Sequence, residues 1–228
     1  MQFALQVCSY LAAIPLQLLV IKVFLRDAFR RFPFIFAYLI ATFLTTAAEM
    51  PVYLSFYSGN KASWARLVWL YWLDELILQV LVFAAVISLL YYATAALQTG
   101  RILRTSLVAG ALVFAAVSFL IHCPPDPLAN PSKWMTPWSR DLNLCATILD
   151  LALWAVLLAS RDKDTRLLML SGSLGVMFTG EAIGNSLRHL STGRYSFITA
   201  VGDGIVMLSN LLFLFLVWQT FRTEKKPL

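Results

Sequence analysis

Apolar runs near twenty residues alternate along this chain with short polar connectors. Seven stand out: Phe3–Phe24, Phe34–Tyr57, Leu67–Leu97, Leu103–His122, Leu142–Ser160, Leu167–Leu190 and Phe197–Phe221. About twenty apolar residues in a helix span a hydrocarbon core of about 30 Å. The pattern predicts an all-α membrane protein, a bundle of seven transmembrane helices. The third run is long enough to tilt or protrude. The runs use most of the chain, so one helical membrane domain over residues 1–228 is expected, with no separate catalytic or signalling domain. The opening "MQFALQVCSY" lacks a basic n-region, and the first run is too long for the apolar part of a signal peptide. It is expected to stay in place as helix 1.

Composition agrees with this reading. The chain is 60% hydrophobic and 13% charged, with a mean hydropathy of +0.74. The net charge of +6 comes from eighteen Lys and Arg against twelve Asp and Glu. Twelve of the eighteen fall on one side of the predicted bundle, at Lys22, Arg26, Arg30, Arg31, Arg101, Arg104, Arg161, Lys163, Arg166, Arg222, Lys225 and Lys226. The positive-inside rule puts that side in the cytoplasm, with the N-terminus outside and the C-terminus inside. An integral protein of a plasma or inner membrane follows. The basic residues are scattered over short connectors, which argues against nucleic acid and for anionic lipid headgroups. The cytoplasmic connectors are also where a partner protein would dock, and homo-oligomers stay open.

Most connectors are short. The exception is "CPPDPLANPSKWMTPWSR", Cys123 to Arg140, on the outer side. Its prolines disfavour helix, so a non-helical loop is expected. Trp134 and Trp138 are placed to anchor at the headgroup level. The loop could also serve as a lid over an outward-facing cavity. Cys8, Cys123 and Cys145 lie in the outer part; a single disulfide among them is left open by the odd count.

Two stretches align without a gap. In Leu5–Asp27 and Leu142–Asp164, Cys8 meets Cys145 and Arg26-Asp27 meets Lys163-Asp164. The next helices carry Glu49 and Glu181. This raises a 3+1+3 parallel repeat with helix 4 as the linker, a transporter architecture.

Chemistry is concentrated in six acids inside the spans: Glu49, Asp74, Glu75, Asp150, Glu181 and Asp203. At 1.5 Å per residue, Glu49 and Glu181 lie roughly 22 Å in from the inner end of their helices, and the other four roughly 9–12 Å from the outer end. All fall between mid-membrane and the outer face. Five of them have polar company on their own helix face, at spacings of three, four, seven or eight residues: Thr42, Thr45 and Tyr53 with Glu49; Gln79 with Glu75; Asn143 and Thr147 with Asp150; Asn185, Arg188 and His189 with Glu181; Asn210 with Asp203. These faces are expected to turn inward. Glu49, Glu75, Glu181 and Asp203 lead the candidate ligand-binding set, with Gln79, Asp150 and Asn185. Asp74, Tyr53, Arg188, His189 and Asn210 are secondary. The bland alternative is polar pairing between helices, worth about 0.6 kcal/mol each on average.

The reading is therefore a small multi-pass transporter or channel-like protein. It would take a proton, a metal cation or an amine-type solute at an acidic cluster in the outer half. The alternative is a membrane receptor, sensor or accessory subunit using the same pocket through a signalling partner. No Ser/His/Asp spacing and no Cys-x-x-Cys argues for an enzyme, and the sequence leaves cofactor and metal unknown. The small-residue strip Gly180-x-x-x-Gly184 predicts close helix packing. Gly202 and Gly204 around Asp203 could either pack tightly or expose backbone carbonyls to an ion.

Overall fold

The computed structural model describes residues 2–26, 28–57, 63–95, 100–124, 131–159, 164–190 and 197–222. Among them are seven α-helices and no strand: α1 (Gln2–Phe24), α2 (Pro33–Tyr57), α3 (Ser63–Ala95), α4 (Gly100–His122), α5 (Pro131–Ala159), α6 (Thr165–Leu190) and α7 (Phe197–Arg222), with a short 3-10 turn at Ala28–Arg30. Six of the helices, α2 to α7, are long and apolar enough to cross a membrane. In α1 the corresponding apolar stretch over described residues is Ser9–Phe24.

Local signals place the helix ends. Pro33 and Pro131 are first residues of α2 and α5, where a missing N–H costs nothing and φ is preset. Asp164 caps α6: its Oδ1 accepts from the amides of Arg166 at 3.0 Å and Leu167 at 3.3 Å. Pro15, Pro51 and Pro137 sit inside helices. Membrane helices tolerate this because neighbouring groups re-satisfy the freed backbone.

Pro137 carries a correction. The stretch from Cys123 to Arg140 is not all loop, because α5 begins at Pro131 and its span at Trp134. Residues 125–130, the rest of the expected lid, lie outside the described residues. Trp134 and Trp138, expected at the headgroup level, lie in the first turns of α5. They stack at 6.1 Å and both meet Phe119 of α4, at 5.7 and 5.4 Å. The Trp138 indole N–H donates to the Ala115 carbonyl at 3.3 Å. Trp134 is buried in this cluster, Trp138 half-buried, and Phe119 keeps its outer face exposed.

The chain divides into two compact units: α1 with α6 and α7, and α2 through α5. In the first unit α7 packs on both α6 and α1. Phe24 is fully buried and meets Phe221 edge-on at 4.5 Å. In the second unit α3 is central, packing on α2, α4 and α5.

The outward faces are apolar. On α5, Leu142, Ala146, Leu149 and Leu153 are buried, while Leu144, Ile148 and Leu151 are exposed. On α4, Leu112, Val113, Val117, Leu120 and Ile121 are exposed. Surfaces of this kind are covered by a membrane, so the protein is an integral, multi-pass helical membrane protein.

The glycine strip packs as expected. A Cβ added at Gly180 would collide with Ser209 Oγ and Cβ, and one at Gly184 with Val206 Cγ2, and would lie 2.8 Å from the Gly202 carbonyl oxygen. Gly202 thus belongs to the packing seam, while a Cβ at Gly204 meets nothing within 4 Å.

Candidate functional site

The central helix of the second unit carries two adjacent acids, Asp74 and Glu75. Neighbouring residues on a helix point about 100° apart, and here they turn to different partners. Glu75 Oε1 accepts a 2.8 Å hydrogen bond from Ser139 Oγ on α5. Asp74 lies beside the Thr45 hydroxyl of α2 and the carboxylate of Glu75. Its Oδ1 is buried and without a hydrogen-bond partner among the described residues. One turn on from Glu75, Gln79 Nε2 is buried and unpartnered in the same way. Neither acid has a cationic partner among the described residues. Two neighbouring carboxylates in a membrane span therefore face a hydroxyl, another hydroxyl and each other.

Such a pair cannot carry two charges without compensation. A charged Asp at a helix centre costs about 2.5–3.5 kcal/mol on insertion scales. The Ser139 hydroxyl offsets part of that, but it brings no positive charge, and the Thr45 hydroxyl donates to the Thr42 carbonyl. The chemistry available to the pair is to hold a proton or to accept a small cation.

The other candidates are distributed as follows. Asp150 is buried, 3% exposed, as its inward assignment requires. Glu49 and Tyr53 on α2 are half-buried, as are Glu181 on α6 and Asp203 and Asn210 on α7. Glu49 and Glu75 belong to one unit, Glu181 and Asp203 to the other. Asn185 is exposed, against expectation: the buried face of α6 at this end is Gly180 and Gly184, and Asn185 is turned off it. The side chains of Arg188, His189 and Cys8 lie outside the described residues. Several hydroxyls read as part of the polar faces are satisfied within their own helices: Thr42 donates to the Tyr38 carbonyl at 2.8 Å, Thr45 to Thr42 at 3.1 Å and Thr147 to Asn143 at 2.8 Å. Cys123 and Cys145 are free thiols. Among the described residues no three His, Cys, Asp or Glu side chains gather closely enough to hold a metal ion.

Sequence reasoning missed a second polar cluster. Asp141 Oδ2 accepts from Ser118 Oγ at 2.8 Å and lies 3.1 Å from His122 Nε2. Ser118 and His122 are one turn apart on α4, a spacing visible in the sequence. Asp141 falls just outside the fifth apolar run, because the stretch before it reads as loop. The arrangement is not a nucleophile relay, since the serine donates to the carboxylate rather than to the imidazole. It ties α4 to α5. Asp141→Ala is expected to lower stability by about 1–3 kcal/mol by stranding both donors. Asp141→Asn, which keeps an acceptor, should lose less; thermal unfolding in detergent compares the two.

Comparison with family models, with curated proteins and with solved structures found no match.

Proposed function

We propose that this protein is a small multi-pass transporter or channel-like protein that binds a proton or a small amine-type cation at Asp74 and Glu75. The observation that carries the proposal is the pair itself: adjacent carboxylates in the Val68–Thr94 span, one accepting from Ser139, the other with a buried oxygen that has no hydrogen-bond partner among the described residues. Intramembrane acids mark proton relays and cation pathways when no structural counter-ion accounts for them. A proton or an amine fits better than a metal ion, which needs more ligands than two neighbouring acids supply. The pair lies roughly 9–11 Å into its span, counted from Val68. With the N-terminus outside, that is the outer half.

Flux tests the reading. Liposomes containing only the purified protein are expected to dissipate an imposed pH gradient, or to take up a primary amine, faster than empty liposomes. Saturable amine binding without any flux would overturn transport and leave a receptor or sensor that uses the same pair.

A further inference from the structure

A second feature lies at the other end of the same unit. Between α2, α3 and α4 runs an open apolar groove of about 520 Å³. Its floor is Val80, Phe83, Ala84 and Ile87 of α3, its far wall Val108 and Leu112 of α4, and its mouth Tyr91 and Tyr92. From Val80 to Tyr92 it extends roughly 18 Å along the helix axis. That is close to one leaflet, half of a hydrocarbon core of about 30 Å. Tyrosines at one end and aliphatic side chains at the other match the gradient of a single leaflet.

The mouth is also where positive charge is fixed. Phe32 is 2% exposed and packs edge-on against Tyr92, centroids 6.1 Å apart. The Arg31 guanidinium sits 5.3 Å over the Phe32 ring. Arg30 lies over Phe29, at 5.7 Å, and Phe29 packs on Phe36 of α2. Two arginines are thus tethered by aromatic contacts beside Pro33 and Tyr92, which themselves line the groove. On α4, Arg104 occupies the helix position one turn before Val108.

We infer that this groove is a binding site for one anionic phospholipid, its acyl chain along Val80–Tyr92 and its phosphate at Arg30 and Arg31. The charge selects the occupant. A second copy of this chain would bring its own basic residues to the same end and meet like charge. A zwitterionic lipid would fill the groove but gain little at the arginines. The site does not include Asp74 or Glu75, which lie before Val80 in the first half of α3.

Native mass spectrometry of the full-length protein in detergent tests this. It would be titrated with phosphatidylglycerol and phosphatidylcholine of identical chains, and with glycerol phosphate as a soluble competitor. Phosphatidylglycerol should be retained preferentially. Arg31→Gln should weaken it about fivefold, near 1 kcal/mol per surface cation, without changing phosphatidylcholine. Ala84→Trp, which fills the groove, should weaken both lipids; Leu112→Trp, on an exposed wall position, does the same if the first variant misfolds. Equal retention of the two lipids, or no effect of Arg31→Gln, would overturn the inference. Displacement by glycerol phosphate as effective as by the lipid would reduce it to a phosphate site. A dimer abolished by Leu112→Trp would give the groove to a second copy instead.

Discussion

Gly184→Leu is expected to destabilise the protein by about 3 kcal/mol or more, the upper end for overpacking a tight interior. The reason is local and geometric. The first added carbon would already overlap Val206 Cγ2 and crowd the Gly202 carbonyl oxygen, which is backbone and cannot turn away. Gly180 differs in an instructive way, since its obstacle is a side chain, Ser209. Gly180→Ala should therefore be relieved by Ser209→Gly, which removes both clashing atoms, and not by Ser209→Ala, which keeps the Cβ. Gly110 and Gly204 serve as controls, because a Cβ there meets nothing within 4 Å. Alanine at these two should be neutral or stabilising by up to about 1 kcal/mol, the helix-propensity difference. Denaturant unfolding in detergent reads all of these variants. If alanine costs the same at all four glycines, the α6–α7 seam is not the tight contact described.

The second large effect concerns charge. Neutralising Asp74 and Glu75 together, as Asn and Gln, should raise stability by about 1–3 kcal/mol, because two half-buried carboxylates in a membrane span lose their charge at little cost in shape. Gln at position 75 can still accept from Ser139, so the α3–α5 contact survives. Any proton or amine flux should fall by at least about tenfold, equivalent to about 1.4 kcal/mol. Glu75→Ala is the contrasting variant: it strands the buried Ser139 hydroxyl and should lower stability. If the Asn/Gln pair instead unfolds the protein, the two carboxylates are structural partners and the proposed site loses its foundation.

The two predictions separate parts of the molecule that differ in kind. The glycine seam carries shape, and its failure is steric. The acid pair carries polarity with no cationic partner among the described residues, and its failure is electrostatic. Natural chains violate local rules mainly where function requires it.

The sequence by itself determined how many helices form, where most of them end within a few residues (the start of α5 excepted), and that they lie in a membrane. These are local properties: a twenty-residue apolar run has few other ways to satisfy its backbone in lipid. It also located the acids along their helices, and the Gly180/Gly184 strip, because small residues four apart share a face wherever the helix goes. Rotation and partnership were decided only by tertiary structure. On α5, leucines line both the buried face and the exposed one, so hydropathy cannot tell them apart. Lipid is as apolar as a protein interior, and helix association in it rests on packing and hydrogen bonds rather than on burial from water. That is why Asn185 could be assigned inward and stand exposed. It is also why α1 joins α6 and α7 rather than α2 and α3, and why Ser139 and Asp141 emerged as partners only once α5 was extended back to Pro131.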